Sequence, residues 1–295
     1  MDGKKKAVVF VLLGQSNAVG HDLKMTEEDK VTTPMEHVYG LHRDQNQKMD
    51  LQRLQWSGYT TDGMNLGESQ DHTYSITNCL AKNWQAYIDA GNEKNLPDLY
   101  IINISIGAEG VTGNYMWNPD RAPVLIPGKL GTVNISLYPF SRQVFSLVDE
   151  SFKTQNIDYS YLGLHWRGGE NDINHVLAGE VSHQKLAEIY RTLLDTFNET
   201  LQNPPITLHE IVAKDRMMDT DPSGEKWQVV GRMNQLFRDM GKQYPNVTTF
   251  DVRNFPGYDP ETRGAGMFKD DMIHFTEDVN KWVAEQIFNR YLENK

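Results

Sequence analysis

Residues 14–17 read Gly-Gln-Ser-Asn and directly follow an unbroken apolar run, AVVFVLL at 7–13. A serine where a buried strand hands over to a helix has its hydroxyl clear of the sheet. The backbone N–H groups that follow it point at any negative charge that develops nearby. Ser16 is therefore a candidate nucleophile, and an ordinary helix N-cap is the competing role. The flanking amides, Gln15 and Asn17, are candidate substrate contacts. The motif is not the G-x-S-x-G elbow, because Asn17 and Ala18 follow the serine.

A nucleophilic serine needs a base. In KDDMIHFTED, Asp271 and His274 stand three apart, a spacing that lets the carboxylate hold one ring nitrogen while the other faces the serine. A second D-x-x-H, Asp172 with His175, shows that this pattern alone is weak. Acyl transfer also needs donors for an oxyanion. Gly107 closes the apolar run DLYIINISIG, and Asn171 in HWRGGEND offers an amide; simple turn chemistry is the alternative for the glycines here. Arg167 either binds a carboxylate in the cleft or forms a surface ion pair. Glu170 either supports His274 and the site floor or caps a helix. Tyr115 and Trp117, in the stretch after Gly107, are candidates for stacking on a sugar, with loop packing as the rival explanation.

These residues need a frame. Short apolar runs at 7–13, 37–41, 98–107, 159–166, 205–213 and 247–252 read as strands. Helical spacing occupies 71–91, 140–155, 179–202, 225–243 and 277–293, with Gly91 placed to end the first and Thr276 to cap the last. Alternation of this kind predicts an α/β fold, a mostly parallel sheet covered on both faces, with ligands beyond the carboxyl ends of the strands. The whole chain, 1–295, is expected to form one domain. Two long stretches, about 42–70 and 108–139, interrupt the alternation and are expected to wall or cover a site.

Composition narrows the partners. Of 295 residues, 29 are Lys or Arg and 40 are Asp or Glu, a net charge of −11. So acidic a chain is a poor binder of nucleic acid and of anionic membrane. Its one cysteine, Cys79, allows neither an intrachain disulfide nor a cysteine-based zinc site. His183, His209 and Glu210 lack any recognised metal spacing, so neither a catalytic metal nor a cofactor is expected. The basic-then-apolar start, MDGKKKAVVFVLLG, lacks a small-residue cleavage site and is not expected to be a signal peptide. No run approaches a membrane span, and a cytoplasmic location is favoured.

Taken together, Ser16 in GQSN, Gly107, Asn171 in GEND, and Asp271 with His274 resemble the four spaced blocks of the SGNH (GDSL-type) hydrolases. They span 14–274, nearly the whole chain. The GQSNA form resembles the sialate O-acetylesterase-like branch, which includes the acetyl xylan esterases of carbohydrate esterase family six. That resemblance implies a three-layer αβα sandwich of the flavodoxin-like kind and a metal-free serine esterase acting on acetylated carbohydrate. It implies Ser16 as nucleophile, His274 as base and Asp271 as its orienting acid. The oxyanion donors would be the N–H groups of Ser16 and Gly107 and the Asn171 amide. One block departs from the branch: Arg167-Gly168 stands where His-Gln is usual, while Asn171 completes the G-x-N-D of the wider superfamily. A non-catalytic carbohydrate-binding domain on the same fold, or a lipase or thioesterase of the same superfamily, are the alternatives.

Overall fold

The structure is a computed structural model. It describes residues 4–295 except 46–48, 70–71, 93–95, 122–135, 213–223, 263 and 272. Strand β1, Lys5–Gly14, is buried from Ala7 onward, and its side chains alternate between two cores. Ala7, Val9, Val11 and Leu13 enter one, while Val8, Phe10 and Leu12 enter the other. A strand apolar on both faces belongs in the middle of a sheet covered on both sides. That is where β1 lies, paired in parallel with β4 (Asp98–Ser105) and β5 (Ile157–Arg167).

The remaining strands are β2 (Val38–Leu41), β3 (Trp56–Gly58), β6 (Ile206–His209) and β7 (Val247–Phe250). The sheet order is β3-β2-β4-β1-β5-β6-β7, parallel except for β3, which runs antiparallel to β2. The five strands β4-β1-β5-β6-β7 have the doubly wound order 2-1-3-4-5, and the switch point lies between β1 and β5.

The helices are α1 (Ser16–Val19), α2 (Ile76–Tyr87), α3 (Leu137–Thr154), α4 (Glu170–Leu177), α5 (His183–Leu201), α6 (Glu225–Gln243) and α7 (Glu277–Glu293). Apolar side chains recur on one face of each long helix. In α5 they are Leu186, Ile189, Tyr190, Leu193, Leu194, Phe197 and Leu201. Helices α3, α5 and α6 cover one face of the sheet, and α2 packs with α7 over the other. Full burial of each such side chain stabilises the fold by about 1.5–3 kcal/mol. Among the described residues, no helix is long and apolar enough to cross a membrane.

The three-layer sandwich expected from the sequence is the observed fold. Four details differ. The stretch 42–70 contains an edge strand, β3, that three residues without alternation do not announce. Helices α1 and α4 are short and begin directly at motif residues. Past α2 the chain makes a wider helical turn over Ile88–Asn92, in which Gly91 has φ 90°. Thr276 sits at the N-cap of α7, but its hydroxyl accepts no capping bond. Within 108–139, residues 122–135 lie outside the described set, as does residue 213 at the end of the predicted fifth strand, 205–213.

Candidate active site

The first motif sits at the switch point. Gly14, at φ 142°, closes β1, and the next N–H, that of Gln15, donates to Arg167 O at 3.1 Å. Gln15 takes the N-cap position of α1 in an extended conformation, which makes Ser16 the first helical residue rather than the cap. The Ser16 hydroxyl is therefore not spent on capping. Neither the Ser16 N–H nor the Gly107 N–H finds an acceptor among the described residues. Ser16 stands at a helix start and Gly107 in the turn just past the end of β4. A Cβ built on Gly107 would lie 4.0 Å from the Ser16 Cβ, which places the two residues side by side.

Asp271 and His274 form a pair. His274 Nδ1 is 2.6 Å from Asp271 Oδ2, and Asp271 Oδ1 accepts the N–H groups of Ile273 (3.0 Å) and His274 (2.9 Å). Burial acts to raise this carboxyl. The donated bonds from the His274 N–H, the His274 ring and the Ile273 N–H outweigh it and pull Asp271 down to about 2. An ionised carboxylate only accepts, so Nδ1 carries the ring proton of neutral His274. Nε2 is left as the basic nitrogen, without a protein partner among the described residues.

The two ends of the chain are joined at Asn17. Its Nδ2 donates to Glu170 Oε1 (2.8 Å) and Ile273 O (3.4 Å), and its Oδ1 accepts from Phe275 N (3.1 Å). The residue after Ser16 thus grips the residues on either side of His274. Gln15 Nε2 donates to the other Glu170 oxygen at 2.8 Å. Gln15 and Asn17 are 2% and 3% exposed, so both amides face inward to Glu170. The sequence reading of Gln15 and Asn17 as substrate contacts is corrected to a buried clamp on Glu170, which is itself half-buried.

The third block divides its labour. Asn171 Nδ2 donates to Glu109 O at 2.9 Å, which leaves the second N–H of that amide outside this bond and ties α4 to the segment after Gly107. Asp172 is fully buried and accepts from Val111 N, Thr112 N and Thr112 Oγ1. Burial raises its carboxyl to about 7 against those donated bonds. His175 Nδ1 meets Thr112 Oγ1 at 2.8 Å, and its ring stacks on Tyr115 with centroids 4.9 Å apart. The second D-x-x-H therefore fastens a loop. Asp172 faces backbone N–H groups rather than the His175 ring.

Two further expectations are corrected. Trp117 is fully buried, donates through Nε1 to Gly14 O at 3.2 Å and packs edge-on against Trp166, so it offers no face to a sugar. Arg167 is neither at the surface nor open to the cleft. It is 2% exposed, donates to Asn280 Oδ1 at 2.7 Å, and lies over the Phe275 ring at 4.6 Å. Burial lowers its guanidinium to about 10, with Glu170 acting the other way. Tyr115 remains half-buried, one face spent on His175.

No family model matches the sequence, and no curated protein matches it in sequence. Solved structures do match. NanS superposes with a TM-score of 0.56 at 13% identity, over 99% of this chain and 100% of that one. A protein from Arabidopsis thaliana gives 0.55 at 15% identity, over 99% of both chains. A carbohydrate acetylesterase from Xanthomonas citri gives 0.53 at 11% identity, over 95% of this chain and 55% of the other. The chain shares the fold of these three proteins.

One neighbour of the site was not singled out from sequence. His21 follows the GQSNAVG turn, and its N–H donates to Ser16 O at 3.0 Å. Its ring lies 4.4 Å from that of His274, and its Nδ1 is 4.0 Å from where a Gly107 Cβ would stand. The signal was its place four residues beyond Asn17, on the turn that leaves the short helix. His21 also lines a cavity of about 550 Å³ with Lys24, Met25, Thr61, His72 and Thr73. This cavity meets the candidate site through His21; neither Ser16 nor His274 lines it.

Proposed function

We propose that this protein is a serine esterase that removes acyl groups, acetyl above all, from a carbohydrate. The observation that carries the reading is the Asp271–His274 pair, ordered by hydrogen bonds and flanked by residues that Asn17, next to Ser16, holds. Ser16 attacks the ester carbonyl while His274 Nε2 takes its proton, and Asp271 stabilises the resulting imidazolium. The charge on the carbonyl oxygen is received by the N–H groups of Ser16 and Gly107 and by the Asn171 amide. His274 then protonates the leaving sugar oxygen, and water releases the acid from the acyl-enzyme by the same route. The fold shared with the Xanthomonas citri carbohydrate acetylesterase supports a sugar ester as the substrate class.

The test is acetate release from acetylated xylan, pectin, sialic acid and amino sugars, run beside Ser16→Ala, His274→Ala and His175→Ala. Loss of nucleophile or base should nearly abolish turnover, and the two losses should not add. Asn171→Ala should leave a remnant, about 10²- to 10³-fold down. His175→Ala should stay active. A fluorophosphonate that leaves Ser16 unlabelled, with no acetate released from any substrate, would favour a non-catalytic binding domain instead.

A further inference from the structure

The active-site clamp has a hierarchy. Asn17 is buried and does not reach the cavity, yet its three hydrogen bonds join parts of the chain more than 150 residues apart. Glu170 fixes the amide by accepting one N–H at 2.8 Å, and the rest of the amide meets the loop that carries His274. Phe275 is held a second time, by the Arg167 guanidinium over its ring. An amide suits this place because it donates and accepts at once without charge. A carboxylate at position 17 would face the Glu170 carboxylate across the same 2.8 Å.

The geometry points to Asn17 as a positioning residue: oriented by Glu170, it sets where the His274 ring stands relative to Ser16. The inference rests on the esterase reading above. Its consequence lies in turnover rather than substrate affinity, since misplacement of a reacting group by about 1 Å can cost about 10²-fold in rate.

The polarity of the clamp can be inverted to test it. Asn17→Asp keeps the acceptor for Phe275 N but sets carboxylate against carboxylate. Adding Glu170→Gln restores the link to position 170, while the longer bond to Ile273 O stays lost. The amide introduced at position 170 can donate an N–H to the carboxylate introduced at position 17, while its oxygen still accepts from Gln15. We expect Asn17→Asp to lower kcat about 10²-fold with KM unchanged, and to slow fluorophosphonate labelling of Ser16 to the same extent. The double variant should recover kcat to within about tenfold of the parent, the strong non-additivity expected of residues in one network. All rates are read well below each variant's unfolding midpoint. Ser16-dependent turnover with Asn17→Asp at parental kcat overturns the positioning role and leaves the esterase reading standing. Absence of Ser16-dependent turnover in the parent removes the esterase reading, and the positioning role with it. Should Asn17→Asp fail to fold, the double variant decides: recovered kcat supports the role, and a folded but silent protein overturns it.

Discussion

Asp271 carries a charge whose effect is felt at His274. With its carboxyl held at about 2, it is ionised across the whole neutral range and keeps the Nδ1 proton of His274 facing it. Asp271→Asn presents an amide that can offer an N–H to Nδ1 and select the wrong tautomer. The expected result is a fall in kcat of about 10³- to 10⁴-fold with little change in KM, measured on an acetyl ester. A loss under about tenfold would remove the orienting role. Among these residues the types were legible and several of their partners were not. Ser16, Gly107, Asn171, Asp271 and His274 stood out because each is a chemically apt group at a strand end or turn. The inward direction of Gln15 and Asn17 was hidden, because it depends on Glu170, which is 153 residues away from Asn17. Trp117 was misread for the same reason: composition places an aromatic in a loop, but only the fold shows that its ring fills the core beneath Gly14.

At the scale of elements, the site depends on how tightly β1 can pass β5. A Cβ on Gly14 would stand 2.0 Å from Arg167 O, and the residue's φ of 142° disfavours any side chain. Gly14→Ala should therefore push the Gln15 N–H off Arg167 O, at a cost of about 1–3 kcal/mol. It should also lower kcat, because Ser16 follows two residues later. Urea unfolding and turnover on the same preparation check both, and a variant of parental stability would deny the close approach. Asp172 supplies the second constraint. Asp172→Ala leaves Val111 N, Thr112 N and the Thr112 hydroxyl without their acceptor, so amide exchange at 111 and 112 should accelerate while α6 and α7 keep their protection. Uniform acceleration would mean that Asp172 supports the whole fold rather than one loop. The long elements were readable because periodicity persists over them: α6 and α7 begin and end at the residues that their spacing predicts. Strand β3 has three residues and helix α1 four, too few for any period to declare itself.

For the molecule as a whole, a buried histidine pair on β5 and β6 contributes to how the fold meets acid. His165 Nδ1 and His209 Nε2 lie 2.9 Å apart, fully enclosed between Phe10 and Phe250. Burial, with Arg290 and Arg167 nearby, lowers His165 to about 3. Burial, His165 and Arg167 push His209 the same way. Unfolding releases both rings to the ordinary value of 6.5, so between that pH and about 3 the unfolded chain binds more protons than the folded one. Their contribution is complete above about 6.5 and drains away as the pH falls, by about 1.4 kcal/mol per unit for each ring. Asp172 works against this. Its carboxyl is raised from 3.8 to about 7, so the folded state holds the extra proton there and stability declines as pH rises through that interval. Comparing the parent with His165→Leu/His209→Leu cancels Asp172 and isolates the pair. The stability difference between the two, from denaturant titrations at half-unit steps from pH 7 to 4, should shift against the parent as acid is added, whatever the variant's absolute stability. A difference that stays flat across that range would mean that the rings take up protons inside the fold, and the sheet would then have no acid-sensitive joint between β5 and β6.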